Sequence, residues 1–149
     1  MTVYRFTKEI YSHELSGEGA KRWGGRWNSP GLAVVYTSCS ISLSLLELLI
    51  HQVSYEEILV NNLMRIDIPD VFVQTISTNS LKLNWQYDID YCRFIGNEFL
   101  QNNKSLLLKV PSAVIPEEYN ILINPRHVAF GKCSILSSGV FEFDTRLFK

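Results

Sequence analysis

The stretch Ile41 to Ile50 (ISLSLLELLI) limits the possible folds of this chain more than any other. Ser38 and Ser40 are both candidate N-caps, and the helix they start is expected to run to about Gln52. Ile41, Leu43, Leu45, Leu46, Leu48, Leu49 and Ile50 spread around most of its circumference. Such a helix needs protein on nearly every side, so the other elements must wrap it into a core. At about 100° per residue, Ser40, Ser44, Glu47 and His51 fall on one narrow polar stripe. A stripe of this kind either faces water or lines a pocket. In the second case Glu47 is a carboxylate positioned among leucines.

A chain of 149 residues and 17.1 kDa suits one domain with one core, which we take to span residues 1–149. Its 46% hydrophobic content argues against disorder. The net charge of −1 argues against a nucleic-acid surface, because neutralising phosphates supplies most of that affinity. Cys39, Cys92 and Cys133 are far apart and odd in number, and His13, His51 and His127 lack metal-ligand spacing, so no metal site is expected. The same cysteine usage points to a reducing, cytoplasmic setting. No leader-like apolar segment opens the chain and no run approaches a membrane span, so no membrane partner is expected.

Patterning predicts strands at Val3 to Phe6, Leu32 to Thr37, Leu59 to Ile68, Val71 to Ile76, Lys104 to Val110 and Tyr119 to Asn124. Ile135-Leu136 and Val140 to Phe143 supply the last ones. Ser77 to Trp85 reads as a polar loop, and Asp90 to Asn102 as a second helix in spite of Gly96. The expected fold class is α+β, a mixed sheet with flanking helices.

The segment Gly17 to Gly31 holds five of the eight glycines, two of the three tryptophans, and Lys21, Arg22 and Arg26. Glycines let a backbone approach a ligand closely, and an arginine fork suits phosphate. It matches neither a Walker loop nor a dinucleotide fingerprint, and no nucleophile elbow presents a serine for hydrolase chemistry. What remains is a set drawn from separate segments: Arg26, Tyr36 at a strand end, Glu47 on the helix stripe, and Ser112 after a later strand. Arginine would hold phosphate, tyrosine would pack on a ring, and glutamate would stabilise a developing cation. That combination suits cleavage of the nicotinamide–ribose bond of NAD.

The order of these segments resembles the RES domain family. The matching motifs are GGRWNSPG (Gly24 to Gly31), VVYTS (Val34 to Ser38), LLELLIH (Leu45 to His51), VPSAVIP (Val110 to Pro116) and NILINPRH (Asn120 to His127). FEFDTRL (Phe141 to Leu147) looks like the family's closing strand, with Thr145 where proline is expected. The resemblance implies a split sheet similar to that of ADP-ribosyltransferase toxins. It implies a toxin that hydrolyses or phosphorolyses NAD, or transfers ADP-ribose to a protein, with NAD as substrate and no separate cofactor. It implies a cognate Xre-like antitoxin as partner, with DNA reached only through that antitoxin, and leaves homodimer formation open. By motif position the catalytic residues would be Arg26, Tyr36, Glu47 and Ser112. NAD would be bound by Arg5, Arg26, Tyr36 and Asn124. A nucleotide- or partner-binding module without turnover is the alternative of a different class.

Overall fold

Alternation of side chains is what lets this chain bury both faces of a sheet. In the segment Tyr119–Ile123, Ile121 and Ile123 point to one face and Leu122 to the other, and all three are buried. Leu107 and Leu108 divide in the same way, as do Val35 and Val34. The apolar runs of the sequence are therefore strands covered on both sides. The computed structural model describes residues 1–52 and 54–148; Val53 and Lys149, which the expected domain range includes, lie outside the described residues.

Among the described residues, seven strands form one mixed sheet: β1 (Thr2–Lys8), β2 (Val35–Ser38), β3 (Asn61–Asp67), β4 (Val73–Thr75), β5 (Leu107–Pro111), β6 (Tyr119–Ile123) and β7 (Ser134–Val140). Their order is β4-β5-β6-β2-β1-β3-β7. Only β4 and β5 run parallel; the other pairs are antiparallel. The sheet is split at its middle. β1 meets β2 at the single register pair Tyr4↔Ser38, whereas β1 pairs with β3 along its whole length, from Thr2↔Asp67 to Lys8↔Asn61. The expected α+β class with a mixed, split sheet is borne out.

Among the described residues, four α-helices flank the sheet: α1 (Glu18–Trp23), α2 (Ile41–His51), α3 (Tyr55–Leu59) and α4 (Ile89–Asn102). Ser40, not Ser38, caps α2, its side chain accepting from the Leu43 N–H at 3.1 Å. Asp88 caps α4 by accepting from the Tyr91 N–H at 3.0 Å. One core cluster joins Cys92, Phe99 and Leu100 of α4 to Trp27, Trp85, Val34, Leu108, Val110 and Leu122. A second fills the other face with Val3, Val35, Met64, Ile66, Leu107, Ile121 and Ile123.

Three expectations need correction. Helix α2 is not buried all round: Leu43, Ser44 and Leu48 are buried, while Leu46 and Ile50 are exposed. The side facing the protein thus includes part of the polar stripe, at Ser44 and half-buried Glu47. The glycine segment and the stretch after Val53 each contain a short helix, α1 and α3, too brief to show a period in the sequence. Finally, Phe141 to Leu147 is not a closing strand. Strand β7 ends at Val140, and Thr145–Phe148 is a 3-10 turn. The tail turns back because Phe141 and Phe143 pack on Phe6, with ring centroids 5.1 and 5.6 Å away, instead of extending the sheet edge.

Candidate active site

Glu47 reaches the site from the second turn of α2, on the helix face turned toward the ends of β2, β5 and β6. Its Oε1 accepts two hydrogen bonds, from the Ser112 hydroxyl at 2.7 Å and from Asn120 Nδ2 at 2.7 Å. Ser112 sits just past β5 and is fully buried. Its oxygen also accepts from the N–H groups of Val114 (3.1 Å) and Ile115 (3.2 Å), which fixes the turn after Pro111. Asn120 lies opposite Ser38 in the β2–β6 ladder, and the Ser38 hydroxyl donates to Asn120 Oδ1 at 2.7 Å. That bond satisfies the amide oxygen while the amide nitrogen faces Glu47. Oε2 of Glu47 receives no hydrogen bond from the described residues.

Two positions back along β2, on the same face and about 7 Å away by strand rise, Tyr36 anchors the turn that carries Arg26. Gly25 and Asn28 form an isolated bridge closing this turn. The Tyr36 hydroxyl donates to Asn28 Oδ1 at 2.6 Å and accepts from the Trp27 N–H at 2.9 Å. Asn28, fully buried, donates in turn to the carbonyls of Ala20 (2.8 Å) and Leu32 (2.9 Å). Gly25 lies flat on the tyrosine ring: a Cβ there would stand 2.6 Å from the hydroxyl oxygen. From the other side α4 clamps the turn. Arg93 Nε donates to the Gly25 carbonyl at 2.9 Å, and Asn97 exchanges bonds with Ser29 at 2.9 and 2.8 Å.

Arg26 is half-buried at the tip. Its Nη1 donates to the Gln86 carbonyl at 2.8 Å, and its guanidinium lies 6.0 Å from the centre of the Trp85 ring. Neither Arg26 nor Arg93 forms an ion pair with a carboxylate among the described residues. Burial pushes the Tyr36 hydroxyl well above the ordinary tyrosine range, against the opposing pull of its hydrogen bonds to Trp27 and Asn28 and of the nearby charges of Arg93 and Arg26, so the ring carries a neutral phenol. Burial likewise raises the Cys92 thiol, with Arg26 opposing, which disfavours a thiolate beside the arginine.

The four residues expected to be catalytic thus fall in two linked groups, Glu47 with Ser112 and Arg26 with Tyr36, joined through Ser38 and Asn120. Arg5 is outside this network. It pairs with Met64 across β1 and β3, and its buried Nη1 has no hydrogen-bond partner among the described residues. Burial lowers its pKa, with Glu14 opposing. Asn124 is not brought to the others. It stands four residues beyond Asn120, about 13 Å along the strand direction. Its amide is fully used at the end of α4, donating to Asn103 Oδ1 at 2.9 Å and accepting from the Arg126 N–H at 3.1 Å. Lys21 and Arg22 are exposed on α1. A cavity of about 200 Å³ lined by Leu63, Arg65, Ser138 and Phe141 shares no residue with this site.

Three residues escaped the sequence reading: Asn120, Ser38 and Arg93. A signal existed for Asn120, a polar residue inside the apolar strand YNILI, but only the ladder pairing brings it to Ser38. Chemically, the arrangement offers an anchored carboxylate with one open oxygen, and two guanidinium groups with no carboxylate partner around a neutral aromatic ring. It suits a phosphate-bearing substrate that develops positive charge during reaction.

Residues 2–144 match the sequence model of the RES domain. The chain is 36% identical over 151 residues to "Toxin Res" of Yersinia enterocolitica, covering 99% of both chains. It is 37% identical over 123 residues to "Prs ADP-ribosylating toxin" of a Sphingobium strain, covering 76% of this chain and 74% of that one. In fold it is similar to a chain of the M. tuberculosis MbcT–MbcA toxin–antitoxin complex, with a TM-score of 0.75 over 94% of this chain and 83% of that one, at 24% identity.

Proposed function

This chain belongs to the RES domain family, and we propose that it is the toxin of a toxin–antitoxin pair that cleaves the nicotinamide–ribose bond of NAD. The observation that carries this reading is the Glu47 carboxylate, held through Oε1 by Ser112 and Asn120 and open at Oε2. The nicotinamide of NAD is already cationic, so it departs with the bonding electron pair as a neutral ring and needs no acid. The ribose carbon left behind has oxocarbenium character, as in glycoside cleavage, and one carboxylate beside it suffices for stabilisation. Water then adds to that carbon and loses a proton, giving ADP-ribose; phosphate in place of water gives the ADP-ribose phosphate ester.

In this scheme Glu47 faces the ribose, and Arg26, with Arg93 beside it, holds the pyrophosphate. The Tyr36 ring packs against the nicotinamide or its ribose while its hydroxyl stays bound to the turn. Ser112 acts by holding Glu47, because its hydroxyl is saturated by one donated and two accepted bonds. Arg5 is a second candidate for an anionic group, on the strength of its buried donor without an acceptor. Asn124, engaged at the end of α4, has no part in it. An antitoxin partner, Xre-like by family resemblance, is supported by the toxin names of the relatives and by the fold shared with the MbcT–MbcA complex.

Transfer of ADP-ribose to a protein is the second reading, favoured by the name of the Sphingobium relative. Incubating purified protein with NAD labelled in the adenylate half separates the two. Free labelled small products together with nicotinamide support degradation, and a labelled protein band supports transfer. Binding of NAD without either product would leave a non-enzymatic module. Glu47→Gln and Arg26→Ala variants that remain folded are expected to lose at least about tenfold in turnover, the size of one lost interaction with a charged group. Wild-type rates in both would remove the site assignment.

A further inference from the structure

Resting on the proposed role of Glu47, the geometry points to Asn120, supported by Ser38, as a positioning residue that makes Glu47 work through Oε2 alone. A carboxylate has two oxygens with comparable acceptor capacity, and an unrestrained glutamate presents either one by rotating its terminal torsion. Here both protein donors converge on Oε1, from the Ser112 hydroxyl and from Asn120 Nδ2, each at 2.7 Å. Two donors from different segments, the turn after β5 and strand β6, hold the carboxylate plane, whereas one would leave it free to turn about that bond.

The amide of Asn120 donates only if its nitrogen, not its oxygen, faces Glu47. A flipped amide would set Oδ1 against Oε1, acceptor against acceptor. The carboxylate, which only accepts, selects Nδ2, and the buried Ser38 hydroxyl supports that orientation by donating to Asn120 Oδ1 at 2.7 Å. Thr37, the next residue on β2, is used differently. Its hydroxyl donates to the Ile121 carbonyl at 2.7 Å, tying β2 to β6 and keeping Ser38 level with Asn120. The relay Ser38–Asn120–Glu47 thus runs from the centre of the sheet to the carboxylate, and Tyr36, on the same face of β2, ties it to the turn carrying Arg26.

Asn120→Ala, Asn120→Asp and Ser38→Ala test this. Asn120→Asp keeps the shape of the side chain but replaces a donor with a second carboxylate, so it serves where the alanine variant fails to fold. In NAD turnover, Asn120→Ala and Asn120→Asp are expected to lower kcat by about 10- to 100-fold, the size of one hydrogen bond to a charged group, with KM within about twofold of wild type. Ser38→Ala is expected to show the same pattern with a smaller loss. Placed in a Glu47→Gln background, Asn120→Ala is expected to add almost nothing, because residues acting as a unit are not additive. A full additional loss in that background, or a change confined to KM, overturns the proposal. A second measurement needs no substrate. The ¹³C signal of the Glu47 carboxylate is expected to move in both Asn120 variants and, less, in Ser38→Ala; an unmoved signal overturns the proposal even if wild-type protein proves not to consume NAD. Absence of NAD consumption by wild type, with the carboxylate signal moved, instead removes the enzymatic reading and leaves the positioning intact.

Discussion

The hydroxyl of Tyr36 spends its one proton on Asn28 and accepts from the Trp27 N–H, so it has no donor left for a ligand. Its part in holding the Arg26 turn is separable from any contact its ring makes. Tyr36→Phe would keep the ring and strand the Trp27 N–H and the Asn28 carbonyl oxygen, so unfolding free energy is expected to fall by about 1–3 kcal/mol. The pH dependence follows from burial. Because burial raises the folded-state pKa of this phenol above its ordinary value, the native protein keeps a proton that the unfolded chain releases. The resulting stability is present below about pH 10 and is lost as pH rises beyond it. Urea unfolding at several pH values between 8 and 11 checks the sign: the decline above about pH 10 should be shallower in Tyr36→Phe than in wild type. Identical slopes would exclude Tyr36 as a contributor.

At the scale of elements, the site depends on how closely α4 approaches the Arg26 turn. Gly96 makes that approach possible, since a Cβ at this position would fall 1.6 Å from the Trp27 carbonyl oxygen. In the sequence Gly96 only weakens the helical pattern. In the fold it is the point of contact between helix and turn, with Arg93 and Asn97 bonding to Gly25 and Ser29 on either side. Gly96→Ala would gain about 1 kcal/mol of helix propensity. Against that, the overlap with backbone must be relieved by moving the helix or the turn, at about 1–3 kcal/mol or more. The variant is expected to have a lower Tm than wild type and, because the turn carries Arg26, weaker NAD turnover. A Tm at or above wild type would show that α4 does not rest on the turn. Helix α2 teaches a related lesson: its leucines suggest a helix sunk in a core, yet its outer side exposes Leu46 and Ile50. Hydrophobicity spread around a helix does not say which side the sheet will cover.

For the whole molecule, the decisive feature is a sheet split at one pair, Tyr4↔Ser38. Beyond it, the half formed by β1, β3 and β7 is closed by the chain's own tail, where Phe143 packs against Phe6, Phe141 and Phe148 with centroids 5.6, 4.9 and 6.4 Å away. Phe143→Ala should lower stability by about 2–3 kcal/mol, less than a fully buried phenylalanine because the ring is half-buried. For a chain of this length that is a fall in Tm of about 5–10 °C, readable by calorimetry. An unchanged Tm would mean that the tail adds nothing to the fold. By itself the sequence determined the strands of the two-sided core and the two long helices, and singled out Arg26, Tyr36, Glu47 and Ser112 as candidates, because periodicity and motif order are properties of neighbouring residues. It could not separate Asn120 from Asn124, which share one motif, or assign Arg93 a place, or reveal that Phe141 to Leu147 turns away from the sheet. Those outcomes rest on pairings such as Ser38 with Asn120 and Gly96 with Trp27, between groups 82 and 69 positions apart. Only tertiary structure decides them, since a hydrogen bond or a close packing contact exists only when folding has brought both partners within a few ångströms.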